Sequence, residues 1–150
     1  MRIALGSDHA GYDLKQRARG WLQHRGAEVV DLGPQTLDPA DDYPDYAQKV
    51  AESVVRGEAD LGLMICSTGV GSCIAANKVA GVRAALCSDT FCARMSKSHN
   101  DANVLCLGAH VVDAALARDI LDTWLDTPFG GDERHLRRLD KIALIESRLR

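Results

Sequence analysis

Nowhere in this sequence does an apolar run reach the length needed to cross a bilayer, about 20 residues. The segment from Met1 to Asp8 reads as a strand and a polar loop, not as the apolar core of a secretion signal. A membrane-embedded or exported protein is therefore not expected. Pairing signals are also missing from the cysteines: there are five, at 66, 73, 87, 92 and 106, with no CxxC spacing. That argues against a disulfide framework or a zinc site and for a reducing, cytoplasmic setting without a metal. The chain carries no excess of positive charge, since 18 Lys and Arg against 21 Asp and Glu leave a small net charge of -3. No general attraction to nucleic acid or to anionic membranes follows, so any anion site must be a local cluster. Internal repeats, low-complexity tracts and linkers are absent as well.

What remains describes a globular α/β chain. A hydrophobic fraction of 46% and a charged fraction of 26% are ordinary for one domain over 1–150 with a full core. Short β-type runs at 2–6, 27–31, 61–65, 83–87 and 103–107 alternate with helical patterns near 12–25, 44–56, 70–79, 90–98 and 113–125. A last helix is predicted over 134–147. The 44–56 pattern puts Ala47, Val50, Ala51, Val54 and Val55 on one face, and the 113–125 pattern does the same with Leu116, Ile120, Leu121, Trp124 and Leu125. The segment from Gly33 to Asp42 is the one long loop. Strict alternation implies five parallel strands with helices on both faces, and ligands beyond the carboxyl ends of the strands. Asp8-His9, Cys66 and Ser88-Asp89 then gather at one edge of the sheet. The final helix has no strand after it, so it packs across the domain or reaches a partner subunit.

Cys66 ends the run Leu61-Gly62-Leu63-Met64-Ile65 and precedes the turn Ser67-Thr68-Gly69-Val70-Gly71. A turn with glycines at 69 and 71 that opens a helix can point several backbone N–H groups at an anion, and such surroundings favour a thiolate. The turn is not a Walker A loop, because no Gly-Lys-Ser/Thr ends it. Nor is it a cysteine-phosphatase loop, since Ser72 stands where that loop needs Arg. Asp8 suits a helix cap, while His9 beside it suits a phosphate or a proton shuttle. Ser98-His99-Asn100-Asp101-Ala102-Asn103 reads as a polar turn, yet histidine is the side chain best placed for acid–base work near neutrality. Because His99 precedes the fifth strand, it belongs at the opposite edge from Cys66, unless a loop folds back or the site forms between subunits. Arg134 and Arg138, four apart, share a helix face and form either a solvated basic surface or a phosphate clamp.

Taken together, Gly6-Ser7-Asp8-His9-Ala10-Gly11, Asp42-Tyr43-Pro44, Ile65-Cys66-Ser67-Thr68-Gly69-Val70-Gly71, Ile74-Ala75-Ala76-Asn77-Lys78, Gly81-Val82-Arg83-Ala84, Ser98-His99-Asn100-Asp101-Ala102-Asn103 and Arg134-His135 with Arg138 resemble type B ribose-5-phosphate isomerases. That family also includes galactose-6-phosphate isomerase subunits and allose-6-phosphate isomerases, and the resemblance runs over essentially the whole chain. It implies a Rossmann-like three-layer αβα sandwich, dimeric or a dimer of dimers, with each active site shared by two subunits and the final helix reaching the neighbour.

The implied reaction is the interconversion of ribose 5-phosphate and ribulose 5-phosphate without metal or organic cofactor. In it His99 assists ring opening, Cys66 is the base and Thr68 relays protons. The N–H groups of Ser67, Gly69, Val70 and Gly71 stabilise the oxyanion. By the same resemblance His9, Arg134 and Arg138 hold the phosphate, while Asp8, Tyr43 and Asn100 contact the sugar. Two positions depart from the family pattern. His110 stands where Arg, a phosphate contact, is usual, and Ser67 where Gly is commoner. Alternatives within the same reading are another phosphosugar, such as allose or galactose 6-phosphate or a tetrose phosphate, and a catalytically silent phosphosugar-binding subunit.

Overall fold

The computed structural model describes residues 1–148. Its elements follow in the order β1 (Arg2–Ser7), α1 (Tyr12–His24), β2 (Glu28–Asp31), α2 (Tyr43–Val55), β3 (Leu61–Cys66), α3 (Val70–Ala76), β4 (Ala84–Leu86), α4 (Thr90–Ser98), β5 (Val104–Gly108), α5 (Ala114–Asp126) and α6 (Glu133–Arg148). The five strands lie in the order β2-β1-β3-β5-β4, and every pairing is parallel. This is the Rossmann-like three-layer sandwich that the alternation of elements and the family resemblance imply.

Strand geometry builds the layers. Because successive side chains alternate, Ile3, Leu5, Leu63, Ile65, Leu105 and Leu107 share one face, covered by Leu14, Ala18 and Leu22 of α1, Ala93 of α4, and Ile120, Leu121 and Trp124 of α5. The other face carries Ala4, Met64, Val104 and Cys106 against Ala47, Val50 and Ala51 of α2 and Ala76 of α3. Each large side chain buried this way contributes roughly 1.5–3 kcal/mol. In α2 the buried stripe differs from expectation at one end: Val55 is exposed and Ser53 is buried. Val55 is the last helical residue and stands off the stripe set by Ala47, Val50, Ala51 and Val54.

Side chains set where two elements stop. The third helix ends at Ala76, not near 79, because Asn77 Nδ2 donates to Cys73 O at 3.0 Å and to Ala84 O at 3.0 Å. Its Oδ1 accepts from Ala84 N at 2.9 Å, so Asn77 replaces the next helical turn and ties it to β4. Strand β4 begins at Ala84, since Arg83 N donates to the Asn103 side chain at 2.7 Å.

Helix α6 buries only His135 among the described residues and leaves Leu136, Ile142, Leu144 and Ile145 exposed. It is pinned near its end by Glu146, whose carboxylate accepts from Gly81 N at 3.0 and 3.1 Å. No helix among the described residues is long and apolar enough to cross a membrane. The chain leaves β1 for β2 on one side and reaches β3 on the other, so a crevice opens beyond the ends of β1 and β3.

Candidate active site

Cys66 is the last residue of β3, in register with Gly108 of β5, and is 3% exposed. Its Sγ accepts the N–H of Gly69 at 3.2 Å and lies 3.2 Å from Ser72 Oγ. That closure needs a left-handed residue at 69, where φ is 79°, and a Cβ there would strike the Leu86 side chain and the 107–108 backbone. Thr68 is exposed above the thiol, with Oγ1 accepting from Val70 N at 3.3 Å. The N–H groups of Gly69 and Val70 are therefore engaged, whereas those of Ser67, Thr68 and Gly71 have no acceptor among the described residues. These three are the donors left for an incoming oxyanion. Across the mouth, Tyr43 at the start of α2 lies so close to Gly71 that a Cβ on Gly71 would come within 2.8 Å of its hydroxyl.

The turn after β1 faces the same crevice. Asp8 is 5% exposed, and its Oδ1 accepts from Gly11 N at 2.9 Å, the cap-like role its position suggested. His9 is held twice by one carboxylate oxygen of Asp41: Nδ1 at 2.7 Å and the backbone N–H at 2.9 Å. That hydrogen bond to Asp41, reinforced by the charge of Asp8, raises the His9 pKa above the usual 6.5. Asp41 belongs to the 33–42 loop, whose start is clamped by Lys15. The fully buried Lys15 ammonium donates to Asp31 Oδ1 at 2.9 Å and to Pro34 O at 2.6 Å. On the other flank His110 follows β5. Its N–H donates to Ser67 O at 2.9 Å and its Nδ1 lies 3.0 Å from Ser67 Oγ. The two departures from the family pattern thus touch each other.

The crevice brings together Asp8, His9, Tyr43, Cys66, Ser67, Thr68, Gly69, Val70, Gly71 and His110. It does not include His99, Asn100, Arg134 or Arg138. His99 caps the end of α4, at the edge where β5 begins. The five residues of β5, at about 3.3 Å each, separate that edge from Cys66 by roughly 15 Å. There the His99 ring stacks on His135, with centroids 4.2 Å apart and planes 14° from parallel. His135 is 2% exposed, and its buried Nε2 has no hydrogen-bond partner. Burial, then the neighbouring His99 and Arg134, lower its pKa below 6.5, so it is neutral near pH 7. Within the polar 98–103 turn, Asp101 accepts from Arg83, and Asn103 bridges Arg83 N and Gly81 O. Those two serve the fold.

Asp89, grouped with the crevice by position, spends its carboxylate on the N-cap of α4, accepting from Cys92 N at 2.7 Å. Asp41, Lys15, Ser72 and His135 are the residues that spacing does not mark as site elements. Of these, His135 stands in the Arg134-His135 motif and Asp41 in the acidic pair before Tyr43-Pro44, whereas Lys15 and Ser72 carried no local signal as site residues. Behind the site, Cys73 and the fully buried Cys106 lie side by side. The neighbouring Cys106 draws the Cys73 thiol down to about 7, while Cys73 and burial hold Cys106 well above the usual thiol range.

Residues 3–142 match the family model described as Ribose/Galactose Isomerase. The sequence is 47% identical over 147 residues to ribose-5-phosphate isomerase B of Escherichia coli (strain K12), covering 98% of this chain and 97% of that one. In structure it is similar to Clostridium thermocellum ribose-5-phosphate isomerase B, with a TM-score of 0.97 at 51% identity over 100% of both chains. Ribose-5-phosphate isomerase B from Mycoplasma genitalium with bound ribulose-5-phosphate is also similar. It gives a TM-score of 0.93 at 45% identity over 97% of this chain and 96% of that one.

Proposed function

The chain belongs to the ribose/galactose isomerase family, and from that premise we propose that this sugar-phosphate isomerase interconverts ribose 5-phosphate and ribulose 5-phosphate. The observation that carries the reading is the Cys66 Sγ at the end of β3. It is hydrogen-bonded by Gly69 N–H and flanked by the free N–H groups of Ser67, Thr68 and Gly71. On the opened aldose the Cys66 thiolate takes the C2 proton, and charge develops on O1 of a cis-enediolate. The free N–H groups stabilise that oxygen, by roughly 3–4 kcal/mol for a well-aimed donor. Thr68 passes the O2 proton to O1, and the thiol returns its proton to C1, giving the ketose with no atom left over. His99 assists ring opening. Asp8, Tyr43 and Asn100 contact the sugar, and His9, Arg134 and Arg138 hold the phosphate, with no metal or organic cofactor required.

One chain separates these groups into two sets at opposite edges of the sheet, so the complete site is proposed to form between subunits. The working unit is then a homodimer or a dimer of dimers, with α6 reaching the neighbour. Exposed Val70 and Ile74 on α3, Leu86, Phe91, and the apolar side chains of α6 supply surface for such a contact. All of 1–150 acts as one isomerase domain, and five free cysteines suit a reducing, cytoplasmic setting.

A second reading, a hexose or tetrose phosphate as substrate, is favoured by the His110–Ser67 contact, which sets an imidazole where relatives of this type usually place a guanidinium. A panel of aldose phosphates assayed on the wild type and on His110→Arg separates the two: the highest kcat/KM for ribose 5-phosphate supports the first. For the base itself, Cys66→Ala should lower kcat by at least about 1000-fold while substrate still binds. Solvent deuterium should then no longer enter bound sugar. Normal turnover by Cys66→Ala would sink the assignment.

A further inference from the structure

We propose that Ser72 is a positioning residue for the base, a buried hydroxyl that turns between two acceptors as Cys66 loses and regains its proton. This rests on the assignment of Cys66 above, but its geometry is independent of the sugar. Ser72 is fully buried in α3, and its Oγ lies 3.2 Å from Cys66 Sγ and 3.2 Å from Gly69 O. A serine hydroxyl has one proton to give and two lone pairs to accept with. While Cys66 is a thiol, its S–H points to Ser72 Oγ and the hydroxyl proton goes to Gly69 O. Once the thiol has ionised, the same hydroxyl proton turns toward Sγ, where it meets a charged acceptor in place of a neutral one. The thiolate then has two donors, Gly69 N–H and Ser72 O–H.

The turn costs little because the abandoned acceptor keeps a partner: Gly69 O also receives Cys73 N–H at 3.0 Å. No other thiolate competes for the hydroxyl. The buried Cys106 is held well above the usual thiol range by Cys73 and by burial and stays protonated. Proton return follows the reverse order. When Cys66 carries the proton taken from C2, Ser72 swings back to Gly69 O and no longer donates to the sulfur, and the S–H, held only by a weak neutral bond to Ser72 Oγ, turns away to deliver its proton to C1. Hydrogen bonds to charged groups are worth more than neutral ones, so the effect falls on the ionised state.

Ser72→Ala removes this donor, adds no atom that could clash, and leaves Gly69 O satisfied. In Ser72→Ala, kcat at pH 6.5 should fall about tenfold relative to wild type, while the plateau at high pH stays within about twofold and KM is unchanged. Alkylation by iodoacetamide, followed by mass spectrometry on the Cys66 peptide alone, should slow by the same factor at low pH. Ser72→Thr, which keeps the hydroxyl, should restore the wild-type profile. A uniform loss at every pH would mean that Ser72 is only packing, and an unchanged profile would remove it from the mechanism; either result overturns the proposal. The Cys66→Ala result is separate. If that variant remains active, the base assignment fails, while the alkylation readout still decides whether Ser72 supports the thiolate.

Discussion

His9 shares its Nδ1 with Asp41 at 2.7 Å, and the same carboxylate oxygen accepts the His9 backbone N–H. The raised pKa keeps the ring cationic to a higher pH than an unpaired histidine, so the phosphate contact proposed for His9 is favoured over a wider pH range. The sign is fixed by the direction of the shift: attraction is full below the ordinary value of 6.5 and is lost only as pH rises through the higher value in the folded protein. Asp41→Asn removes the largest cause. We expect KM for the phosphorylated sugar at pH 7.5 to rise about three- to tenfold, with kcat little changed. At pH 5.5 the variant and wild type should converge, because both rings are then protonated. A ratio of variant to wild-type KM that is the same at both pH values would show that Asp41 acts on shape alone. Titration of the His9 ring by NMR measures the shift directly.

Among the elements, the 33–42 loop is the one whose position depends most on a single contact. Lys15 points into the protein from α1 and joins three pieces of chain: its own helix, Asp31 at the end of β2, and Pro34 at the head of the loop. Asp31 in turn accepts from Gly33 N at 3.0 Å. Replacement of Lys15 by Met takes the ammonium from Asp31 and from Pro34 O, while Asp31 keeps the Gly33 N–H and the Arg19 guanidinium at 3.7 Å, so the cost is about 1–3 kcal/mol. Lys15→Met should lower Tm by several degrees and raise KM, since Asp41 rides on the released loop. A melting curve identical to wild type would show that the buried ammonium is dispensable. Lys15 sits one position from Leu14 on an otherwise ordinary amphipathic helix, and nothing in the spacing distinguishes it from a solvent-facing lysine. Only the packing of β2 and the loop against α1 buries it.

For the whole molecule, the decisive fact is that Cys66 and His99 lie at opposite edges of one sheet. If active sites are shared, a mixture of two inactive variants regains function. Cys66→Ala and His99→Ala, each nearly inactive alone, should recover about a quarter of wild-type activity after unfolding and refolding together. Half of the dimers formed are then mixed, and each of those has one intact site of two. No recovery, in a mixture shown by mass spectrometry to contain mixed dimers, would place both residues' functions within single subunits. The exposed apolar residues of α6 belong to this scale as well. With Glu146 and His135 as its fastenings, the helix presents Leu136, Ile142, Leu144 and Ile145 outward.

The sequence by itself determined the alternation of strands and helices, hence the parallel sheet, because side-chain periodicity and Gly–Pro punctuation are local properties. It also determined that Cys66, Asp8 and His9 share an edge, since every strand of a parallel sheet ends on the same side. It did not determine the ends of α3 and β4, which long-range bonds from Asn77 and Asn103 decide. Nor did it mark Ser72 or Lys15, or show what Asp41 and His135 touch, since those contacts exist only once loops and helices meet in space. Hydrogen-bond partners distant along the chain leave no spacing to read. Tertiary structure alone decided which backbone N–H groups around Cys66 are already engaged and which stay free for a substrate.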